Sequence, residues 1–146
     1  SDYMRYSLEN AHKKSILLTD EITLINNYIE LESLRLNHTK VNFVTNVDMS
    51  DLSLPPLLFI PLIENAFKYN VDKENTILSI DLIVNENSFQ LEIQNTFDKK
   101  RNKNEVGGLG LSNLKKRLDL YYSDNYKYDI EIDNSVYKVS LKLVLK

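Results

Sequence analysis

Apolar residues recur along this chain with two periods, and the switches between them mark out its elements. From Pro55 to Tyr69 (PPLLFIPLIENAFKY) the spacing is helical. Ile60, Ile63 and Phe67 fall on one face and read as core, while Asn65 and Lys68, three apart, share another. Pro55 and Pro56 suit the positions just before or at the first turn, where a missing N–H costs nothing. Pro61 either still lies in that turn or bends the helix. After Val71 the period becomes two. Leu78, Ile80, Leu82 and Val84 form one strand face, and Glu86-Asn87 is a turn candidate. Phe89, Leu91, Ile93 and Asn95 then face the core, with Gln90, Glu92 and Gln94 on the wet side of a hairpin. A polar amide at Asn95 on the core side requires a partner.

The same reading extends to both ends. Tyr3 to about Leu18 is predicted helical, followed by a second helix capped by Thr19 or Asp20 and running to about Asn37. Ile22, Ile25 and Ile29 form its stripe, widened by Leu24, Tyr28 and Leu31. Val41, Phe43, Thr45 and Val47 alternate as a strand, and Asp48 to Ser53 is a polar loop. Thr96 to Val106 is a charged, patternless stretch, about as long as loops become in compact domains without a function. A helix follows, with Leu111, Leu114, Leu118 and Tyr121 or Tyr122 inward. Tyr128, Ile130 and Ile132, a turn at Asp133-Asn134, then Tyr137, Val139, Leu141, Leu143 and Leu145 make a closing hairpin. This order predicts an α+β fold: a two-layer α/β sandwich with a mixed, mostly antiparallel sheet, helices on one face, and an N-terminal helical extension.

Composition narrows the function classes. At 146 residues, 42% hydrophobic and 27% charged, the chain is one ordinary domain able to build a core. A net charge of -3 gives no reason to expect nucleic acid or an anionic membrane as partner. With no cysteine there is no disulfide frame and no thiolate metal site, as suits a reducing compartment. No apolar run reaches membrane-spanning length, and the abrupt opening in helix-like sequence suggests an excised piece of a longer protein.

Two places carry candidate chemistry. All three glycines, Gly107, Gly108 and Gly110, lie within GGLGL, just ahead of a helix. Such a turn offers backbone N–H groups and a partial positive charge to phosphate. It matches neither the P-loop nor the dinucleotide fingerprint; on its own it is also simply a loop before a helix. On the Pro55–Tyr69 helix, Asn65 can offer its carbonyl oxygen to Mg²⁺, Lys68 can reach phosphate oxygens, Tyr69 can lay a ring beside a base, and Glu64 can take a proton. Each residue alone has an ordinary reading: a Glu64–Lys68 surface pair, an Asn65 bond to a loop, a core Tyr69.

Together, PPLLFIPLIENAFKYN, two strands, and GGLGLSNLKKRLDLYY resemble the catalytic ATP-binding domain of bacterial sensor histidine kinases. The chain looks most like the LytS-type branch, within the GHKL superfamily of gyrase, MutL and related ATPases. The Asn65 region resembles that family's N box and Gly107 to Leu111 its second glycine box. Arg5-Tyr6, Tyr28-Ile29-Glu30 and Arg35 resemble the segment upstream of the catalytic domain in this branch. The resemblance implies a Bergerat fold and an ATP pocket between the Asn65 helix and a lid-like loop. It implies Asn65 as magnesium ligand, Lys68 and Tyr69 as the phosphate- and nucleotide-contacting pair, and Gly107, Gly108, Leu109, Gly110 and Leu111 as the backbone cradle for phosphates. Glu64 and Lys68 are the residues implied in catalysis.

Three departures accompany it. The acidic or amide residue that many relatives carry four before the Asn is Pro61 here. At the position of the family's adenine-binding Asp, followed by glycines, stands Asn95, followed by Thr96 and Phe97; a neutral amide can still accept the adenine amine, so the resemblance implies weaker, not absent, nucleotide binding, and Asp98 leaves the strand register. His12 and His38 both lie outside the family's acceptor setting, which places the phosphoacceptor upstream of Ser1. The resemblance then implies a tail of the dimerisation region and linker helix over 1–37 and a catalytic domain over 38–146. It implies a homodimer in the parent protein, a response regulator as partner, and a cytoplasmic domain of a membrane-bound parent. The rival is a degenerate nucleotide-binding or protein-interaction scaffold without kinase activity; a gyrase- or MutL-like clamp ranks third.

Overall fold

The computed structural model describes residues 15–48, 52–55, 58–98, 109–133 and 135–144. In chain order its elements are β1 (Ile16–Leu17), α1 (Leu18–Ser33), β2 (Lys40–Val47), β3 (Ser53–Leu54), α2 (Ile60–Tyr69), β4 (Ile77–Val84), β5 (Ser88–Thr96), α3 (Leu109–Tyr122), β6 (Tyr126–Ile132) and β7 (Val136–Val144). Five strands form one sheet in the order β2-β4-β5-β7-β6. The β2–β4 pair is parallel, as its crossover through α2 allows, and the remaining pairs are antiparallel. β1 and β3 make a separate two-stranded ribbon.

The period-two segments behave as their alternation predicts. Leu78, Ile80, Leu82 and Val84 of β4, Phe89, Leu91, Ile93 and Asn95 of β5, and Tyr137, Val139, Leu141 and Leu143 of β7 are all buried on one face. Register seats Phe89 against Leu143, Leu91 against Leu141, Ile93 against Val139 and Asn95 against Tyr137. On that face lie Leu62, Ile63, Ala66 and Phe67 of α2 and Leu114 and Leu118 of α3, completing a two-layer α+β sandwich. At one end of the sheet Phe59, just before α2, stacks on Phe89 with centroids 5.1 Å apart. α1 shares this core: Leu24, Ile25, Tyr28 and Ile29 are buried, and Tyr28 meets Phe67 edge-on at 6.0 Å.

Several boundaries differ from the sequence reading. Ile16 and Leu17 are not the tail of a helix; they pair with Leu54 and Ser53, and the Leu18 N–H bonds the Leu52 carbonyl at 2.8 Å. That pairing moves the start of α1, so Leu17 stands at its N-cap and Thr19 and Asp20 lie inside the first turn. α1 ends at Ser33 rather than Asn37, because the N–H groups of Asn37, His38 and Thr39 all turn to the Asp72 carboxylate. α2 begins at Ile60, well after Pro55, and Pro61 falls in its first turn, where it needs no kink. The helix expected from Tyr3, His12 within it, and the loop from 99 to 106 lie outside the described residues.

Candidate functional site

The C-terminal end of α2 meets the end of β5 beside the start of β7. The Val71 N–H donates to the Thr96 carbonyl at 3.2 Å, and the Phe97 N–H to the Ser135 carbonyl at 2.8 Å. Tyr69, Phe97 and Tyr137 form a ring cluster there, with centroid separations of 6.4 Å for Tyr69–Phe97, 6.3 Å for Tyr69–Tyr137 and 5.5 Å for Phe97–Tyr137. Asn95 lies next to Tyr137 by register and is 1% exposed. Its Nδ2 donates to the Thr96 carbonyl at 2.7 Å, while its Oδ1 is buried without a hydrogen-bond partner. The Tyr137 hydroxyl is likewise buried and unpartnered, as is that of Tyr128. Burial raises both phenols, Tyr128 to about 12 and Tyr137 further, so both stay protonated at neutral pH.

The sequence-nominated residues are distributed as follows. Glu64 and Asn65 are half-buried on α2, Lys68 is exposed, and Tyr69 is buried in the ring cluster. The Lys68 ammonium lies 5.2 Å from the Tyr69 ring centroid. Asn65 and Tyr69 stand one turn apart on the same side of the helix. Leu109, Gly110 and Leu111 form the first turn of α3, and α3 packs against α2. Gly107 and Gly108 lie outside the described residues. Asp98 is exposed while its neighbour Phe97 points inward, so strand register excludes it from the position of Asn95. His38 is exposed in the turn after α1, where its backbone N–H, not its ring, is held.

Among the described residues there is no cluster of three or more His, Asp or Glu able to hold a metal. A Mg²⁺ at Asn65 would therefore have to arrive with a nucleotide, the protein supplying one amide oxygen and phosphate oxygens and water the rest of the shell. A cavity of about 540 Å³ does exist, lined by Asp48, Asn85, Glu86, Asn87, Ser88, Lys142 and Val144. It lies at the other end of β5 and β7, about 23 Å along the strands from Asn95 at the usual rise per residue. Asn85 Oδ1 there is already used by the N–H groups of Asn87 and Ser88, closing the hairpin turn. Size does not make that cavity the site; the nominated residues, with Asn95 Oδ1 and the Tyr137 hydroxyl, lie toward the opposite end.

A second polar assembly escaped sequence reading. The Asp72 carboxylate, three residues past α2, accepts the N–H groups of Asn37, His38 and Thr39 at 2.7, 2.9 and 2.8 Å. Beside it Asn70 Nδ2 donates to Thr39 Oγ1 at 3.0 Å, the Thr39 and Thr76 hydroxyls are 2.8 Å apart, and Thr76 donates to the Lys73 carbonyl at 2.6 Å. This network ties the corner after α1 to the corner after α2. The backbone N–H groups, that of Asn37 foremost, hold the Asp72 carboxyl far below its ordinary value of about 3.9. A depressed carboxylate contributes stability that is present above its unfolded value and lost as pH falls through the folded one. Asp72→Asn is therefore expected to lower the urea midpoint at pH 7 and to flatten its decline below about pH 4. An acid limb as steep as that of the unsubstituted protein refutes the assignment. No composition or periodicity signal marked Asp72, because its partners lie more than thirty residues away.

A family model described as "Histidine kinase" matches residues 1–40. Over 147 aligned residues, 98% of this chain, the sequence is 24% identical to the sensor histidine kinase BtsS of Escherichia coli K12, of which the match covers 26%. The chain thus spans about a quarter of the length of that curated relative. Among solved structures, the catalytic domain of histidine kinase ThkA superposes with a TM-score of 0.60 at 17% identity, covering 89% of this chain and 93% of that one. ThkA in complex with the response regulator TrrA gives a TM-score of 0.55 at 16% identity, covering 99% of this chain and 47% of that one.

Proposed function

From a chain that has the fold of a histidine kinase catalytic domain and is related along nearly its whole length to sensor histidine kinases, we propose that the α2–α3–β5 end binds Mg·ATP. The γ-phosphoryl then goes to a histidine outside these residues. The observation that supports this most directly is the placement of α2, carrying Glu64, Asn65, Lys68 and Tyr69, against both α3, which starts at Leu109-Gly110-Leu111, and β5, which ends beside Asn95. The N terminus of α3 favours negative charge. Gly107 and Gly108 supply the backbone approach to the phosphates, Lys68 neutralises phosphate charge, and Asn65 offers its amide oxygen to the nucleotide's Mg²⁺.

In the transfer the bond from the γ-phosphorus to the ADP oxygen breaks and a phosphorus–nitrogen bond to imidazole forms. The chain's share is positioning and charge stabilisation. Glu64, half-buried one residue before Asn65, takes the imidazole proton. Neither His12 nor His38 is the acceptor in this reading. Residues 1–37 form the tail of the dimerisation region and the linker helix, 38–146 the catalytic domain of a homodimeric LytS-type parent, and a response regulator takes the phosphoryl onward. ThkA is a histidine kinase whose complex with a response regulator is known. The family-model match at 1–40 coincides with the segment to which Arg5-Tyr6 and Tyr28-Ile29-Glu30 belong. Among the described residues no helix is long and apolar enough to cross a membrane. In this reading the membrane anchor belongs to another part of the parent.

Calorimetric titration with ATP, with and without Mg²⁺, tests the binding half. Saturable heat that strengthens with Mg²⁺ is expected; silence at millimolar nucleotide favours the non-enzymatic scaffold instead. For the chemistry, the full-length parent incubated with γ-labelled ATP is expected to accumulate acid-labile, alkali-stable phosphate.

A further inference from the structure

An end strand turns half of its backbone N–H and C=O groups away from its sheet, and such a row is a template for another strand unless something guards it. The five-stranded sheet has two end strands, β2 and β6. β6 is guarded in the ordinary way, with Lys127, Asp129 and Glu131 along its outer face. β2 is not. From Val41 to Val47 it carries no charge, no proline and no glycine, and Val44 near its middle is 56% exposed. Its pairing with β4 fixes which groups are free. The Lys40 N–H bonds the Thr76 carbonyl at 3.0 Å and the Asp48 N–H the Val84 carbonyl at 2.9 Å, so the even-numbered residues turn their backbone to β4. Val41, Phe43, Thr45 and Val47 turn theirs to the open edge. Side chains alternate with the same parity. Val41, Phe43 and Val47 pack toward the core, while Lys40, Asn42, Val44 and Asn46 lie on the outer face and exposed Asp48 continues that row.

We propose that β2 pairs with β2 of a second copy of this chain, antiparallel about a two-fold axis at Val44, so that one sheet runs through both copies. A two-fold contact sets each residue against the one equally far beyond the axis. Val44 meets Val44, Phe43 meets Thr45, Asn42 meets Asn46, Val41 meets Val47, and Lys40 meets Asp48. The odd-numbered pairs are those with backbone facing the edge, so they exchange both hydrogen bonds. The even-numbered pairs are then the non-hydrogen-bonded ones, whose side chains come closest: valine on valine, amide on amide, and an ion pair at each end. Neither Lys40 nor Asp48 has an ion pair among the described residues. Moving the axis to Phe43 or Thr45 keeps the backbone bonds but sets Lys40 against Asn46 or Asp48 against Asn42. Charge complementarity therefore selects Val44. This contact is independent of the ATP reading.

The chain has no cysteine, so a thiol introduced at the axis reads the contact directly. Val44→Cys places two thiols on a non-hydrogen-bonded pair with Cα atoms about 4.5 Å apart, within the span of a disulfide. Mild oxidation is expected to give a covalent dimer from Val44→Cys and none from Ile83→Cys, which lies on the same outer face one strand further in. Sedimentation equilibrium of the otherwise unsubstituted chain then tests the register. Lys40→Asp sets like charges opposite each other at both ends and is expected to weaken the dimer about tenfold, because symmetry counts the change twice. Adding Asp48→Lys rebuilds the ion pair in reverse and is expected to recover the original affinity. Lys40, Val44 and Asp48 are all exposed, so melting temperatures are expected to hold. No covalent dimer from Val44→Cys, or equal amounts from Val44→Cys and Ile83→Cys, overturns the inference. So does an association that Lys40→Asp leaves unchanged, since the contact then lies elsewhere, or a loss that Asp48→Lys fails to recover.

Discussion

Asn65→Ala is expected to weaken Mg·ATP binding by at least about 100-fold, because even outer-shell substitutions at metal sites cost about 10–100-fold and this amide is the ligand proposed for the nucleotide's ion. The same substitution should not harm the fold. Asn65 is only half-buried, and Ala is the better helix former in the interior of α2. Affinity and stability are therefore expected to separate: calorimetry loses the Mg²⁺-dependent heat while the melting temperature holds or rises slightly. Binding of ATP in the absence of Mg²⁺ is expected to change far less, since the base and the phosphates keep their other contacts. Should Asn65→Ala bind Mg·ATP as tightly as the unsubstituted protein, the nucleotide does not sit against α2 as described. A melting temperature that collapses together with affinity would show the amide to be structural.

The second large effect concerns the opposite end of α2. Phe89→Ala is expected to destabilise the protein by about 3–5 kcal/mol, the usual cost of truncating a large buried aromatic. Phe89 is fully buried at the start of β5 and stacks on Phe59, which immediately precedes α2. Removing the ring leaves a void under the first turn, where Pro61 contributes no backbone donor. Against a total stability of about 5–15 kcal/mol for a domain of this kind, the loss is a large fraction. It is expected to lower the melting temperature by about 10 °C or more. Ile83→Ala is the control. It removes an apolar side chain from the same hairpin, but from the outer face, where Ile83 is 41% exposed. Its cost is expected to stay within about 1 kcal/mol. Urea denaturation of the two variants side by side decides it: similar losses would mean that the two faces of the sheet are not core and surface as described.

These two substitutions lie on segments whose character is legible in the amino-acid order. The two-residue period through Leu78–Val84 and Phe89–Asn95 places every inward residue of that hairpin correctly, because alternation in a strand is a local geometric fact. The inward direction of Asn95 follows from the same rule. The helical spacing of Ile60, Ile63 and Phe67 places the core face of α2 for the same reason. Caps and breakers at element ends are the misleading signals. Thr19 and Asp20 are good N-cap residues, but pairing of Ile16 and Leu17 with β3 starts α1 earlier. Its C terminus is likewise decided by Asp72, thirty-three residues beyond Thr39 in the chain.

What the amino-acid order alone determined, then, is which faces are apolar, where the period changes, and which side chains with ligand chemistry lie one helical turn apart. All of these are short-range properties, set by side-chain type and backbone repeat. Strand order, the parallel β2–β4 pair, the capture of three backbone N–H groups by Asp72, and the seating of Tyr137 opposite Asn95 belong to the tertiary structure. Each joins residues distant in the chain, so it depends on which elements can cover one another's apolar faces at once. No residue carries that information in its own neighbourhood.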